Sequence, residues 1–334
     1  MGRRTRQLVL LRIRPNTSKP IMTLDYPDKG LVESFGIYRK RKPSVTLVVK
    51  RDVTEPTLFR NSNHDRAETQ EFGDKLHAQV NGEKFTSKER LTGLDLLREL
   101  DDKFVHEEYA YNEPVDLEKS LNVGTMTYGL AGTGDQDFAI KSRVVEGYTY
   151  TTEEYDLMNK ETRNAVYESG TMRDADGNQS EALFDFVKVQ PGNDLVHFIT
   201  LEAATGPMLL YTLHNILNTG KYGARETRTG RNVRNTVLGI VLGNHDTSLS
   251  TGELLMEYHS EGADLKGSIG TYVDSVRRSD WDVYGRFDGA DDAPEWFDRL
   301  VSVASRKADD ADDVLREEFT SLTEEAKGEL LGDD

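Results

Sequence analysis

The chain has no cysteine among its 334 residues. That excludes a disulfide framework, a thiolate-bound iron–sulfur cluster and every zinc site built on Cys, leaving imidazole and carboxylate as the only metal ligands. Long apolar runs are missing too. No stretch approaches the roughly 18 residues of a membrane span, and Arg3, Arg4 and Arg6 are not followed by a signal-type apolar core. A soluble cytoplasmic protein with no membrane partner is expected. Apolar residues make up only 36%, yet short runs at 8–11 and 237–242 recur along the chain, which is not the pattern of a disordered polymer. At this length, two lobes or one core with large insertions is expected.

Positive charge is also scarce: 42 Lys and Arg stand against 59 Asp and Glu, for a net −17. Averaged over the chain, such a balance argues against a polyanionic partner. The distribution says otherwise. Residues 1–51 carry 13 basic and 3 acidic side chains, residues 52–218 carry 15 and 31, and residues 219–235 carry 5 and 1. The acidic background, with 25 Arg to 17 Lys and pairs such as Asp291-Asp292 and Asp312-Asp313, resembles the surface of proteins from salt-accumulating halophiles. Islands that stay basic within such a background are candidate anion sites.

The pattern along the chain is mixed. Residues 6–14 read as a strand, and residues 44–50 as a second, β-branched one entered through the loop Arg39-Lys40-Arg41-Lys42. Asn81-Gly82 has the signature of a hairpin turn, and Leu91, Leu94, Leu97 and Leu100 predict a helix over 87–103 capped by Ser87. Residues 138–150 read as one long strand with Lys141 and Arg143 on the same face. A short helix is expected after Thr152; the acidic loop 173–178 that follows lacks the bidentate Glu of a calcium loop. Residues 195–201 predict a strand, 207–217 a helix with Pro207 in its first turn, and 237–242 a buried strand, together suiting an α+β sandwich. Three helices are expected at 253–259, 268–278 and 294–331, the last ending as a solvated acidic tail.

The segment 219–235 carries the densest chemistry. Gly220, Gly223 and Gly230 let a backbone approach a ligand closely. Arg225, Arg228, Arg231 and Arg234, at three-residue spacing beside Lys221, supply forked donors for phosphate oxygens, and Tyr222 offers a ring to stack on a base. No Gly-Lys-Ser/Thr closes it, so it is not a Walker loop. The seven histidines show no metal-ligand spacing; His197 and His214 read as core or boundary residues, and His245-Asp246 has no nucleophile beside it. No catalytic residue, metal or cofactor is expected.

Tyr222-Gly223-Ala224, Arg228, Gly230 and Asn235 ahead of a buried strand, together with Ile140-Lys141-Ser142-Arg143-Val144, resemble the RNA-binding backbone subunit of CRISPR type I-D effector complexes, a branch of the Cas seven family. The likeness runs from the first strand to about residue 280. It implies an RRM-like (ferredoxin-like) antiparallel core with large peripheral insertions. Copies would stack in a helical filament along a CRISPR RNA (crRNA), hold its sugar–phosphate backbone irrespective of sequence, and present its bases to a target DNA strand beside other type I-D subunits. On this reading residues 1–53 and 119–245 form the core, 54–118 a lid-like insertion, and 246–334 a helical part. The zinc-binding insertion of some relatives has no counterpart without cysteine, so 54–118 is expected to be metal-free. Arg39, Lys40, Arg41, Lys42, Lys141, Arg143, Lys221, Tyr222, Arg225, Arg228, Arg231 and Arg234 would line the RNA groove. Two alternatives stand beside this one: a type III-like backbone subunit that cuts RNA with Asp135 or Asp137 and Mg²⁺, and a free-standing single-stranded RNA-binding protein.

Overall fold

The computed structural model describes residues 24–36, 42–62, 64–113, 115–132, 138–164, 171, 173, 176, 183–224, 230–257, 264–287 and 293–332. The strand expected at 6–14 lies outside them. The described elements are, in order, β1 (Ser44–Val53), β2 (Glu68–Phe72), β3 (Lys75–Asn81), α1 (Glu83–Leu100), α2 (Leu117–Ser120), α3 (Val123–Tyr128), β4 (Leu130–Ala131), β5 (Ala139–Ile140), β6 (Val144–Glu146), β7 (Tyr148–Tyr150), β8 (Lys160–Asn164), β9 (Leu183–Val187), β10 (Asp194–Glu202), α4 (Gly206–Asn218), β11 (Val233–Gly243), α5 (Thr251–Glu257), α6 (Leu265–Val276), β12 (Asp282–Gly285), α7 (Glu295–Ala304) and α8 (Ala311–Leu331).

The core is an antiparallel sheet in the order β12-β11-β1-β10-β6. β1 lies at its centre and is largely buried on both sides because helices pack on both sheet faces. Val45, Leu47, Val49, Ile199, Leu201 and Ile240 join the cluster that α1, α4, α7 and α8 close. Val48, Val196, Phe198 and Val241 face the other way, against Leu254, Ile269 and Tyr272 of α5 and α6. A third cluster, with Phe59, Val80, Phe85 and Tyr222 at its centre, lies where the small sheet β2-β3-β7 meets the start of α1.

Several expectations are corrected. The Asn81-Gly82 pair is no hairpin turn: the hairpin of β2 and β3 turns at Gly73-Asp74, and Asn81-Gly82 leads into α1, which starts four residues before Ser87. The strand read over 138–150 is broken into β5, β6 and β7. Residues 141–143 leave the ladder because Arg143 N–H bonds Thr127 O and its carbonyl accepts from Glu202 N. Val123–Tyr128, for which no helix was expected, is helical and starts at a reciprocal capping box of Asn122 and Thr125. No helix occurs among the described residues between Thr152 and Gly177; the element there is β8. Leu94, Leu96, Leu97 and Leu100 of α1 enter the main core, whereas Leu91, expected on the same apolar stripe, is exposed. The region 246–334 is not purely helical, since β12 extends the central sheet along β11.

The helix expected over 294–331 breaks at residues 305–310 into α7 and α8, where Arg306 takes a positive φ. α8 is no solvated tail: Val314, Leu315, Phe319 and Leu322 are buried in the core, and Glu318 and Glu325 accept hydrogen bonds from Tyr26 OH and Phe35 N–H. Phe319→Ala is therefore expected to cost about 3–5 kcal/mol in urea unfolding; a loss below about 0.5 kcal/mol would mean that the helix is frayed and solvated after all.

Candidate nucleic-acid interface

α1 is the axis of the site. Phe85, Glu89, Leu94, Leu96 and Leu97 face inward, which leaves Lys84, Ser87, Lys88, Leu91 and Asp95 at three- and four-residue spacing along the outer face. Three clefts adjoin that face. One of about 430 Å³ lies between Lys88, Leu91, Thr92 and Asp95 of α1 and the turn 218–221 with Arg231. A second, about 200 Å³, is bounded by Arg60, Lys84, Ser87, Lys88 and Gly223-Ala224. The third, about 540 Å³, is lined by Ser87, Arg90, Tyr111, Lys141 and Glu146 among others. Lys88 lines the first two and Ser87 the last two, so the three clefts are neighbours along α1 and make up a segmented groove. Seven cations border it (Arg60, Lys84, Lys88, Arg90, Lys141, Lys221 and Arg231) against the acids Glu83, Asp95 and Glu146. The Arg90 guanidinium lies 5.0 Å from the centre of the Tyr111 ring, adding a flat cation–π surface.

Behind the groove is a buried polar network. Arg51, on β1, has no exposed side-chain surface. Its Nη1 donates to Glu89 Oε1 (2.7 Å) and Asn235 Oδ1 (3.0 Å), and its Nη2 to His197 Nδ1 (3.2 Å). Tyr222 OH donates to Glu89 Oε1 (2.9 Å), and Asn235 Nδ2 donates to Tyr222 OH (2.7 Å). Burial alone draws the Arg51 guanidinium down, but Glu89 and Tyr222 outweigh it and hold the group charged. Burial and the adjacent Arg51 push His197 well below its ordinary value, so its neutral ring accepts the bond. Sheet register makes the cluster possible: Arg51 pairs with Asn235 on β11, and Val49, two residues along the same face of β1, pairs with His197 on β10.

The network ends in the basic loop. Tyr222 N–H donates to Asn232 Oδ1 and Asn232 Nδ2 donates to Tyr222 O, both at 2.9 Å, while Asn232 N–H bonds Gly220 O, so the loop's two ends are tied together. Gly223 follows with φ +78°, and a Cβ there would meet Leu58 O at 2.7 Å; this turn requires glycine.

A family model described as Csc2 Crispr matches residues 8–261, most of the chain. The chain belongs to the Csc2 CRISPR family. No curated protein matches it in sequence. In structure it is similar to Thermofilum pendens Csc2 (17% identity, TM-score 0.56, 91% of this chain and 96% of that one). It is also similar to a chain of a CRISPR RNA-guided surveillance complex in a pre-nicking state (10% identity, TM-score 0.51, 78% and 99%). At these identities the likeness shows a shared fold: the Csc2 CRISPR chain is a mixed α+β protein built on antiparallel sheets.

Of the residues expected to bind RNA, Lys141, Lys221 and Arg231 line the groove. Lys42 and Lys141 both lie within about 4 Å of Glu202 Oε2. Arg234 is exposed on the opposite side of β11 from Asn235 and pairs with Asp52 at 3.3 Å. Two expectations are corrected. Arg143 does not share an open strand face with Lys141: it is buried, donates to Ala203 O and Phe35 O at 3.0 Å, and lies over the Phe35 ring, so it braces the segment before β1. Tyr222 cannot stack on a base, because its ring is fully buried against Phe85. Arg39, Lys40, Arg41, Arg225 and Arg228, like Asp135 and Asp137, fall outside the described residues. His197 and His214 are buried, as read. Among the described residues no group of three or more His, Asp or Glu side chains is placed to hold a metal ion, and no helix is long and apolar enough to cross a membrane.

Sequence reasoning missed Arg60, Lys84, Lys88 and Arg90. They belong to the strongly acidic 52–218 block, where averaging by segment conceals them; the signal was the four-residue spacing of Lys84 and Lys88 on a helix whose other face is apolar.

Glu146 lines the 540 Å³ cleft. Burial first, then the nearby Glu89 carboxylate, raises its pKa to about 8 against the help of Thr86 OH and Arg51, so at neutral pH it is mostly protonated and adds little negative charge to the groove. The folded chain thus keeps this proton where the unfolded chain has lost it, and stability falls as pH rises from about 4.5 to 8. Glu146→Gln is expected to flatten that fall in melting temperature; parallel curves for both proteins would contradict the assignment.

Proposed function

We propose that this Csc2-family chain is a non-catalytic RNA-binding backbone subunit of a type I-D CRISPR effector, which polymerises along crRNA and holds its sugar–phosphate backbone without regard to sequence. The observation that carries this reading is the groove along α1, where seven cations collect on a chain of net charge −17. Phosphate neutralisation needs clustered charge, not a basic average.

The topology supports an RRM-like core. β1, β6, β10 and β11 are consecutive strands of the central sheet, α1 lies between the first two and α4 between the last two, and their spatial order, with the fourth beside the first and the third next, is that of the ferredoxin-like β-α-β-β-α-β unit. A simple RRM stacks bases on the sheet face away from its helices. Here α5 and α6 cover much of that face, which favours the groove beside α1 for the RNA. The cations lie on a helix, a turn and a loop, and none of the clefts presents a base-reading pattern, so contact with phosphate and ribose fits better than sequence readout. Arg39, Lys40, Arg41, Arg225 and Arg228 are further RNA-binding residues in this proposal. Its partners are crRNA, the target DNA strand, further copies of the chain and the other effector subunits; the acidic background fits binding in concentrated salt, where forked arginine bonds outlast bare charge.

Lys88→Ala and Lys221→Ala are each expected to lower the slope of log K against log salt for single-stranded RNA by about 1, equally for unrelated sequences. Unchanged slopes in titrations from 0.1 to about 1 M salt would remove the groove from RNA binding.

A further inference from the structure

The three cations of the 430 Å³ cleft share a property that their surface positions do not explain. Lys88, Lys221 and Arg231 each immediately precede a buried residue, Glu89, Tyr222 and Asn232. Those three residues are bonded in sequence to one another: Glu89 accepts from Tyr222 OH, and Tyr222 and Asn232 exchange two bonds between side-chain amide and backbone. Each element of the cleft wall therefore has an outward cation and an inward polar anchor on adjacent residues, with the anchors joined behind the wall. Thr219 Oγ1 also donates to Thr92 Oγ1 at 2.7 Å, tying the cleft floor to α1.

We propose that Tyr222 and Glu89 are positioning residues for RNA binding, whose mutual hydrogen bond sets the separation of Lys88 on α1 from Lys221 and Arg231. This inference rests on the reading of the groove as the RNA site. The reasoning is geometric. α1 and the loop come from distant parts of the chain, and each brings cations to the cleft, Lys88 on one wall and Lys221 and Arg231 on the other, beside the acid Asp95. A phosphate bridges both walls at the least cost when something holds them at a fixed distance before it arrives. The Tyr222–Glu89 bond meets that need: it is buried, one partner is ionic, and burial together with Glu89 raises the Tyr222 phenol well above its ordinary value, so it remains a donor. Arg51, bonded to Glu89, fixes the carboxylate from the side of the sheet.

Tyr222→Phe isolates the proposal. It keeps the ring in its pocket against Phe85, removes one hydroxyl and leaves every groove cation in place. Binding of the full-length chain to a single-stranded RNA of unrelated sequence is measured as a function of salt, with thermal unfolding followed in parallel; Glu89→Gln, which keeps shape and an acceptor oxygen, serves as the second variant. The expected result for Tyr222→Phe is a cooperative unfolding transition, an affinity lower by about tenfold at fixed salt, and a reduced salt slope although no cation has been removed; Glu89→Gln, which also leaves buried Arg51 without its counter-charge, is expected to reduce the slope likewise with a larger fall in melting temperature. A lowered melting temperature with the salt slope unchanged in both variants would make the bond merely structural and overturn the proposal. Failure of the wild-type chain to bind RNA would instead refute the reading of the groove itself.

Discussion

A guanidinium without exposed surface at Arg51 constrains everything around it. Removing that charge from water is costly unless it is paired and its donors are satisfied. Here the partners come from four separate pieces of chain: Glu89 from α1, His197 from β10, Asn235 from β11, and Tyr222 from the loop between α4 and β11. Each must arrive for the charge to be tolerated, so the cluster selects one arrangement of helix, sheet and loop. The same arrangement brings two basic segments far apart in sequence to opposite walls of one cleft. The positive surface is thus fixed from within, by a residue that does not belong to it.

Coverage of the central sheet has a complementary effect. With α1, α4, α7 and α8 on one face and α5 and α6 on much of the other, the described part of the central sheet is open chiefly at the end of β11 that carries Arg234 and Thr236, and the aromatic rings near the loop, Phe85 and Tyr222, serve packing. Among the described residues the cationic clefts lie along the seam where α1, the turn 218–224 and the 141–146 segment meet. A seam lined by cations, with its one buried acid kept mostly protonated, suits a repeating anionic backbone better than a particular base.

The central strands were legible because β1, β10 and β11 are apolar on consecutive residues, a pattern that survives without knowledge of their partners. The helix at Gly206–Asn218 was legible for the same reason, with Pro207 marking its start. Residues 138–150 were misread because alternation alone cannot show that Arg143 would leave the ladder to bond the carbonyls of Phe35 and Ala203, which are remote in sequence. Tyr222 was misread for a related reason: an aromatic among arginines looks like a stacking platform, and only the tertiary structure shows that Phe85 and Glu89 claim it. The groove was half visible. Its loop side stood out as a basic island, whereas its helix side was hidden in acidic surroundings, since local charge counts follow the chain and a groove does not.

The central claim, that RNA lies in the groove between α1 and the 219–232 loop, is tested most directly by ultraviolet cross-linking of the full-length chain to single-stranded RNA and mapping of the cross-linked peptides. The account predicts cross-links concentrated on residues 84–92 and 218–231, with few on α5 and α6. Cross-links concentrated on residues 251–276 and absent from α1 would contradict it.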